Sequence, residues 1–156
     1  MLVLISYATN SGGTYEAGKI IKELAEKDGH DVMLMSVIDT KAEHINKADF
    51  VFFGSNSWDG HTKEGKRLEG QLPPHFHKFK EDLGNKKFAG KRCSVYGLGD
   101  IHYTYVCGSA EHLKNFVKEI EGELVGEPLR LAGFLYDMNE KVDELSDWAN
   151  GILKEL

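Results

Sequence analysis

Residues 97–108 read Gly-Leu-Gly-Asp-Ile-His-Tyr-Thr-Tyr-Val-Cys-Gly. Glycines there allow close backbone approach, and two tyrosines bring flat faces with hydroxyl tips. The stretch follows a strand-like apolar run, residues 93–96, and precedes a helix-like segment, residues 110–120. A glycine-rich, aromatic-bearing loop at the carboxyl end of a strand is where an open α/β sheet takes a flat ligand. Two earlier loops have the same character, residues 9–14 and 55–60. Three such loops converging on one crevice make a cofactor site.

The first loop is Thr9-Asn10-Ser11-Gly12-Gly13-Thr14, at the start of a helical pattern. Helix N-termini offer free amides and a partial positive charge, so they hold phosphate. Paired glycines let the backbone close on an anion, and Thr9, Ser11 and Thr14 add hydroxyl donors. The Gly-Lys-[Ser/Thr] ending of an ATP loop is missing, as is the Gly-x-Gly-x-x-Gly spacing of dinucleotide sites. A monophosphate held by neutral donors, without metal, remains. Taken alone, the segment reads equally well as a glycine-rich helix cap.

The second loop, Asn56-Ser57-Trp58-Asp59-Gly60, places a tryptophan in a polar turn. Its large apolar face wants cover, which a planar ligand or the protein's own surface supplies. In the third loop, Tyr103 can face Trp58 across a slot. Asp100 and nearby amides can pair with the polar edge of a ring held there. Each loop alone is ambiguous; the three together are hard to explain separately.

The elements that must carry these loops alternate along the chain. Residues 1–7 form a nearly continuous apolar run, as in a parallel strand buried on both faces. Ala17, Ile20, Ile21, Leu24 and Ala25 predict a helix over residues 13–28, stopped by Gly29. Further strands are expected over residues 32–35, 50–53 (ended by Gly54), 91–96 and 123–129. Helices are expected over residues 72–83, with Pro73-Pro74 in the first turn, over 110–120, and over 142–153 with Trp148 on the apolar face. Five strands with crossover helices give an α/β doubly wound parallel sheet. No linker or repeat interrupts residues 1–156, so a single domain is expected.

The 156 residues are 41% apolar and 28% charged, enough for a full core. No window approaches the roughly 20 apolar residues of a membrane helix, and the N-terminus lacks the basic start of a signal peptide. A cytoplasmic protein is therefore expected. Lysine and arginine total 19 against 25 acidic residues, a net charge of −6, which argues against nucleic acid and suits steering toward basic patches on partners. Ordinary solubility accounts for a charge of this size equally well. Cys93 and Cys107 cannot build a disulfide framework and are read as packing residues. His75 and His77 lack a carboxylate or cysteine at matching spacing, so no metal site is expected.

These residues resemble the flavodoxin family, small carriers built around flavin mononucleotide (FMN). The resemblance runs essentially end to end, and Gly-Leu-Gly-Asp-x-x-Tyr-x-Tyr-x-Cys-Gly is its most specific part. Only a short stretch separates the third loop from the fifth strand, as in short-chain flavodoxins. The resemblance implies a flavodoxin-like five-stranded sheet of order 2-1-3-4-5 with helices on both faces. It further implies that Thr9, Asn10, Ser11, Gly12, Gly13 and Thr14 bind the FMN phosphate. Trp58, preceded by Asn56 and Ser57, would cover the inner face of the isoalloxazine and Tyr103 the outer face. Asp100, with backbone around Leu98, Gly99, Tyr105, Val106 and Cys107, would line the pyrimidine edge.

Two departures from the family pattern carry expectations. The phosphate loop usually reads Thr-Gly-Asn-Thr where this chain has Ser11-Gly12-Gly13-Thr14, so a donor is lost and weaker phosphate binding is expected. In the second loop the order is Trp58-Asp59-Gly60, followed by His61, Lys63, Lys66 and Arg67. In the family a peptide here flips when the flavin is half reduced, its carbonyl accepting a hydrogen bond from the ring. Gly60 in the third position of a type II turn, at positive φ, would make the Asp59 carbonyl the acceptor. The nearby lysines should relieve repulsion on the reduced, anionic flavin by below about 1 kcal/mol per charge, giving a less negative second potential. His61 and His102 are read as solvated loop residues.

The implied function is that of a low-potential carrier, with non-covalently bound FMN, that shuttles single electrons. It would be a monomer forming transient complexes with a reductase donor and an acceptor enzyme, touching neither nucleic acid nor membrane. The alternative is an FMN-dependent NAD(P)H:quinone reductase of the same fold, which needs room over the flavin that Tyr103 would fill. A phosphoacceptor receiver is set aside, because Tyr7-Ala8-Thr9 and Gly54-Ser55 stand where it needs acidic residues.

Overall fold

The computed structural model describes residues 1–99 and 107–156. Its main sheet starts from β1 (Leu2–Ala8), with β2 (Asp31–Ser36) on one side and β3 (Phe50–Asn56) on the other. Beyond β3 lies β6 (Arg92–Gly99), then β7 (Glu123–Leu124) and β8 (Leu129–Ala132), both paired with β6. Every one of these pairings is parallel, with Val3 opposite Phe50, Val51 opposite Cys93 and Tyr96 opposite Leu129. The expected 2-1-3-4-5 order is present, with its fifth position filled by two segments.

Parallel strands need crossovers, and covering helices bury both faces. On one face Val3, Ile5, Phe50, Phe52, Tyr96 and Leu98 pack against α1 (Gly13–Lys27) and α5 (Met138–Leu153). On the other, Leu4, Val51, Phe53, Cys93 and Val95 meet α2 (Ala42–Lys47), α3 (Pro74–Leu83) and α4 (Gly108–Glu119). Adjacent residues of a strand thus serve opposite cores, which is why these strands read as unbroken apolar runs. Phe53, Phe76 and Phe116 anchor the second face edge-on, with ring centroids 5.1 Å apart for Phe53–Phe116 and 5.3 Å for Phe76–Phe116.

Several expected boundaries move. β3 does not stop at Gly54 but runs to Asn56. The missing Gly54 side chain leaves room for the Tyr96 ring, which would lie 2.1 Å from a Cβ there. The expected strand over residues 123–129 is broken. Gly126 at φ +71° and Pro128, which has no amide to give, interrupt it. The freed carbonyls are taken by side chains: Ser94 Oγ donates to Val125 O at 2.6 Å, and Trp148 Nε1 to Glu127 O at 2.8 Å. α3 starts at Pro74 rather than residue 72, and α5 starts at Met138 rather than 142. Two elements had no counterpart in the sequence reading, α2 and an antiparallel hairpin of β4 (Trp58–His61) and β5 (Arg67–Gln71). Among the described residues no helix is long and apolar enough to cross a membrane.

Candidate functional site

A cleft of about 520 Å³ opens at the carboxyl ends of the strands, within the size range of cofactor sites. It is lined by Thr9, Asn10, Ser11, Gly13 and Thr14 after β1, by Asn56, Ser57 and Trp58 after β3, and by Leu98 and Gly99 at the end of β6. Gly12, Asp59, Gly60 and Cys107 do not line it. Asp100, Tyr103, Tyr105 and Val106 lie outside the described residues, as does His102.

The phosphate-type loop is built by its backbone. Gly12, at φ +88°, turns the chain into α1, a conformation that side chains rarely adopt. Thr9 Oγ1 accepts the Gly12 amide at 2.9 Å and holds the turn shut. No side chain caps α1, so the amides of its first turn face the cleft unclaimed by one. Thr14 Oγ1 is fully buried and has no hydrogen-bond partner among the described residues; Asn56 Oδ1 is in the same state. Both residues line the cleft. A buried hydroxyl without a partner costs about 1–3 kcal/mol, so it marks where a ligand oxygen belongs. Every lining side chain among the described residues is uncharged.

Trp58 stands at the mouth, 39% exposed. Its strand is steadied by Asp59, whose carboxylate accepts the Gly70 amide at 3.1 Å and Arg67 Nη2 at 3.0 Å. The Asp59 side chain is thereby turned to the hairpin, not to the cleft. Arg67 gives its charge to that pair, so it cannot add fully to the attraction expected of the basic residues. The expected type II turn at Gly60 is not found. Gly60 lies inside β4, paired with Leu68, and its φ is outside the left-handed region. Hairpin pairing with β5 overrides the local turn preference. What a side chain at Gly60 meets instead is the indole, with Trp58 Nε1 3.0 Å from an added Cβ.

The cysteines behave as packing residues. Burial pushes the Cys93 thiol up to about 12 and the Cys107 thiol up to about 11, so both stay protonated and unreactive. Among the described residues no group of three histidine, cysteine or acidic side chains could hold a metal.

One wall was missed in the sequence: Gly133, Phe134, Leu135 and Tyr136, between β8 and α5, also line the cleft. The available signal was three large apolar residues directly after a glycine at a strand end, the same anomaly that singled out Trp58.

The cleft fits a phosphorylated planar ligand such as FMN: orphaned oxygens and helix amides at one end, an exposed indole at the other. The chain is 29% identical to a flavodoxin of Maridesulfovibrio salexigens over 98% of its own length and 97% of that protein's. It is 31% identical to a probable flavodoxin 2 of Bacillus subtilis, covering 79% of this chain and 76% of that one. The solved structure of oxidised flavodoxin 2 from Bacillus cereus superposes with a TM-score of 0.86 at 29% identity, over 100% of both chains. The flavodoxin family model matches residues 5–148, and with that the chain belongs to the flavodoxin family, FMN-binding electron carriers rather than catalysts.

Proposed function

We propose that residues 1–156 act as one domain holding FMN in this cleft. Thr9, Asn10, Ser11, Gly12, Gly13 and Thr14 bind the phosphate. Asn56, Ser57, Trp58, Asp59 and Gly60 flank the inner face of the ring, with Trp58 stacked on it and Tyr103 on the outer face. Leu98, Gly99, Asp100, Tyr105, Val106 and Cys107 follow the pyrimidine edge. The observation that carries this reading is Thr14 Oγ1, buried without a partner among the described residues beside the uncapped start of α1.

Bound FMN accepts and releases single electrons, and the protein sets its environment. Neutral donors and the α1 dipole hold the phosphate without a counter-ion, while Trp58 excludes water from one ring face. The carrier works in the cytoplasm as a monomer and meets its donor and acceptor proteins in transient complexes. Its net charge of −6 supports steering toward basic partner surfaces, and two buried free cysteines suit a reducing compartment. Apoprotein titrated with FMN should quench the flavin's fluorescence at one equivalent, and stepwise reduction should proceed through two one-electron stages. No quenching, or rapid NADH oxidation by the holoprotein alone, would refute the carrier reading.

A further inference from the structure

We propose that the loop joining β8 to α5 is a fourth cofactor-holding segment, in which Leu135 packs against the phosphate loop and Tyr136 donates its hydroxyl to the cofactor's phosphate. The proposal rests on the FMN reading above.

The loop is fixed in place rather than draped over the cleft. Gly133 N donates to Gly99 O at 2.9 Å, tying it to the end of β6. The Tyr136 and Asp137 amides both donate to Gly133 O, at 3.0 and 3.2 Å, closing a turn. Phe134, 2% exposed, roots that turn in the core beside α5. Between these anchors Leu135 is 47% and Tyr136 78% exposed, though both line the cleft.

Leu135 settles which end of the cleft the loop serves. An atom at the Cβ position of Gly13, the first residue of α1, would lie 3.4 Å from Leu135 Cγ and 3.5 Å from its Cδ1. Leu135 therefore stands in van der Waals reach of the first turn of α1, and Tyr136, the next residue, lines the same cleft as Ser11 and Thr14.

The chemistry there calls for another donor. A phosphate presents three strong acceptor oxygens, and neither lysine nor arginine is among the described lining residues. Tyr136 offers a hydroxyl that has no hydrogen-bond partner among the described residues. It can donate to a dianion without the desolvation cost of a buried cation.

Riboflavin, which lacks the phosphate, separates this role from general cover of the ring. Apoproteins of the unaltered chain and of Tyr136→Phe are titrated with FMN and with riboflavin, following flavin fluorescence. Tyr136→Phe should weaken FMN roughly tenfold and change riboflavin by less than about twofold. Unchanged FMN affinity in Tyr136→Phe, or equal losses for both flavins, overturns the proposal and leaves the FMN reading standing. Failure of the unaltered chain to bind FMN overturns both. At 78% exposure the substitution does not threaten the fold, which an unchanged melting temperature verifies.

Discussion

Ser57 and Ser109 stand with their hydroxyl oxygens 3.0 Å apart, buried where β3, β6 and α4 meet. Ser57 Oγ donates to Leu98 O at 2.7 Å and accepts the Ser109 amide at 3.2 Å, while Ser109 Oγ donates to Ser55 O at 3.0 Å. The residue before Trp58 is thus tied to the end of β6 and the start of α4. Ser57→Ala leaves the Leu98 carbonyl and the Ser109 amide short of a partner. It should cost about 1–3 kcal/mol of stability, read as a lower urea midpoint; an unchanged midpoint would show the knot to be dispensable.

Thr14→Val removes the hydroxyl that has no partner among the described residues and keeps the shape. The apoprotein should be as stable as before or more so, since a buried polar group is deleted. FMN affinity should fall roughly tenfold with riboflavin unaffected. Parallel melts and titrations check both halves, and undiminished FMN binding would place the phosphate elsewhere.

Gly60→Ala acts through contact rather than through φ. The new methyl presses on Trp58 Nε1 and shifts the indole at the cleft mouth. A cost of about 1 kcal/mol in binding, roughly fivefold in Kd, is expected for both FMN and riboflavin. Affinities equal to those of the unaltered protein would mean that the indole moves freely.

Gly13→Asn adds a donor, but its Cβ presses on Leu98 Cδ2, 3.2 Å away, and the rest of the side chain must share space with the half-exposed Leu135, 3.4 Å from that Cβ. The double variant with Leu135→Ala should therefore bind FMN more tightly than Gly13→Asn alone. Additive effects in that double-mutant cycle would show that the two positions do not share space.

Stability should also depend on histidine. Burial holds the His75 imidazole below its ordinary 6.5. At His112, burial first and then His77 and Lys80 do the same, against an opposing pull from Glu111. A depressed imidazole favours the neutral form in the folded state, so the unfolded chain binds more protons. The contribution is present above 6.5 and lost as pH falls below it. Melts between about pH 7.5 and pH 5 should show a shallower decline for His112→Gln; parallel slopes would rule that residue out.

The sheet and two of its cleft loops were legible because chemistry-bearing residues sit at the ends of long apolar runs, as Ser11 and Thr14 do after β1 and Trp58 after β3. The β4–β5 hairpin carries little sequence signal, because Trp-Asp-Gly-His and Arg-Leu-Glu-Gly-Gln each hold a glycine and a single large apolar residue, too few to make the alternation that marks a strand. At Gly60 the conformation is set by cross-strand pairing with Leu68, which a four-residue turn pattern does not contain. The break at Gly126 and Pro128 was visible in principle, since proline inside a strand pattern is a warning. Leu135 meets Gly13 only through the crossover that brings α5 beside α1, a contact between residues far apart in sequence.

The gap between β7 and β8 also shapes the rim of the sheet. A continuous outer strand would present an unbroken ladder of unpaired amides and carbonyls for another chain to extend. Here that ladder is cut after two residues, with Trp148 holding the Glu127 carbonyl inside the gap. What this border leaves for another chain to extend is two short pieces, of two and four residues, in place of one long strand.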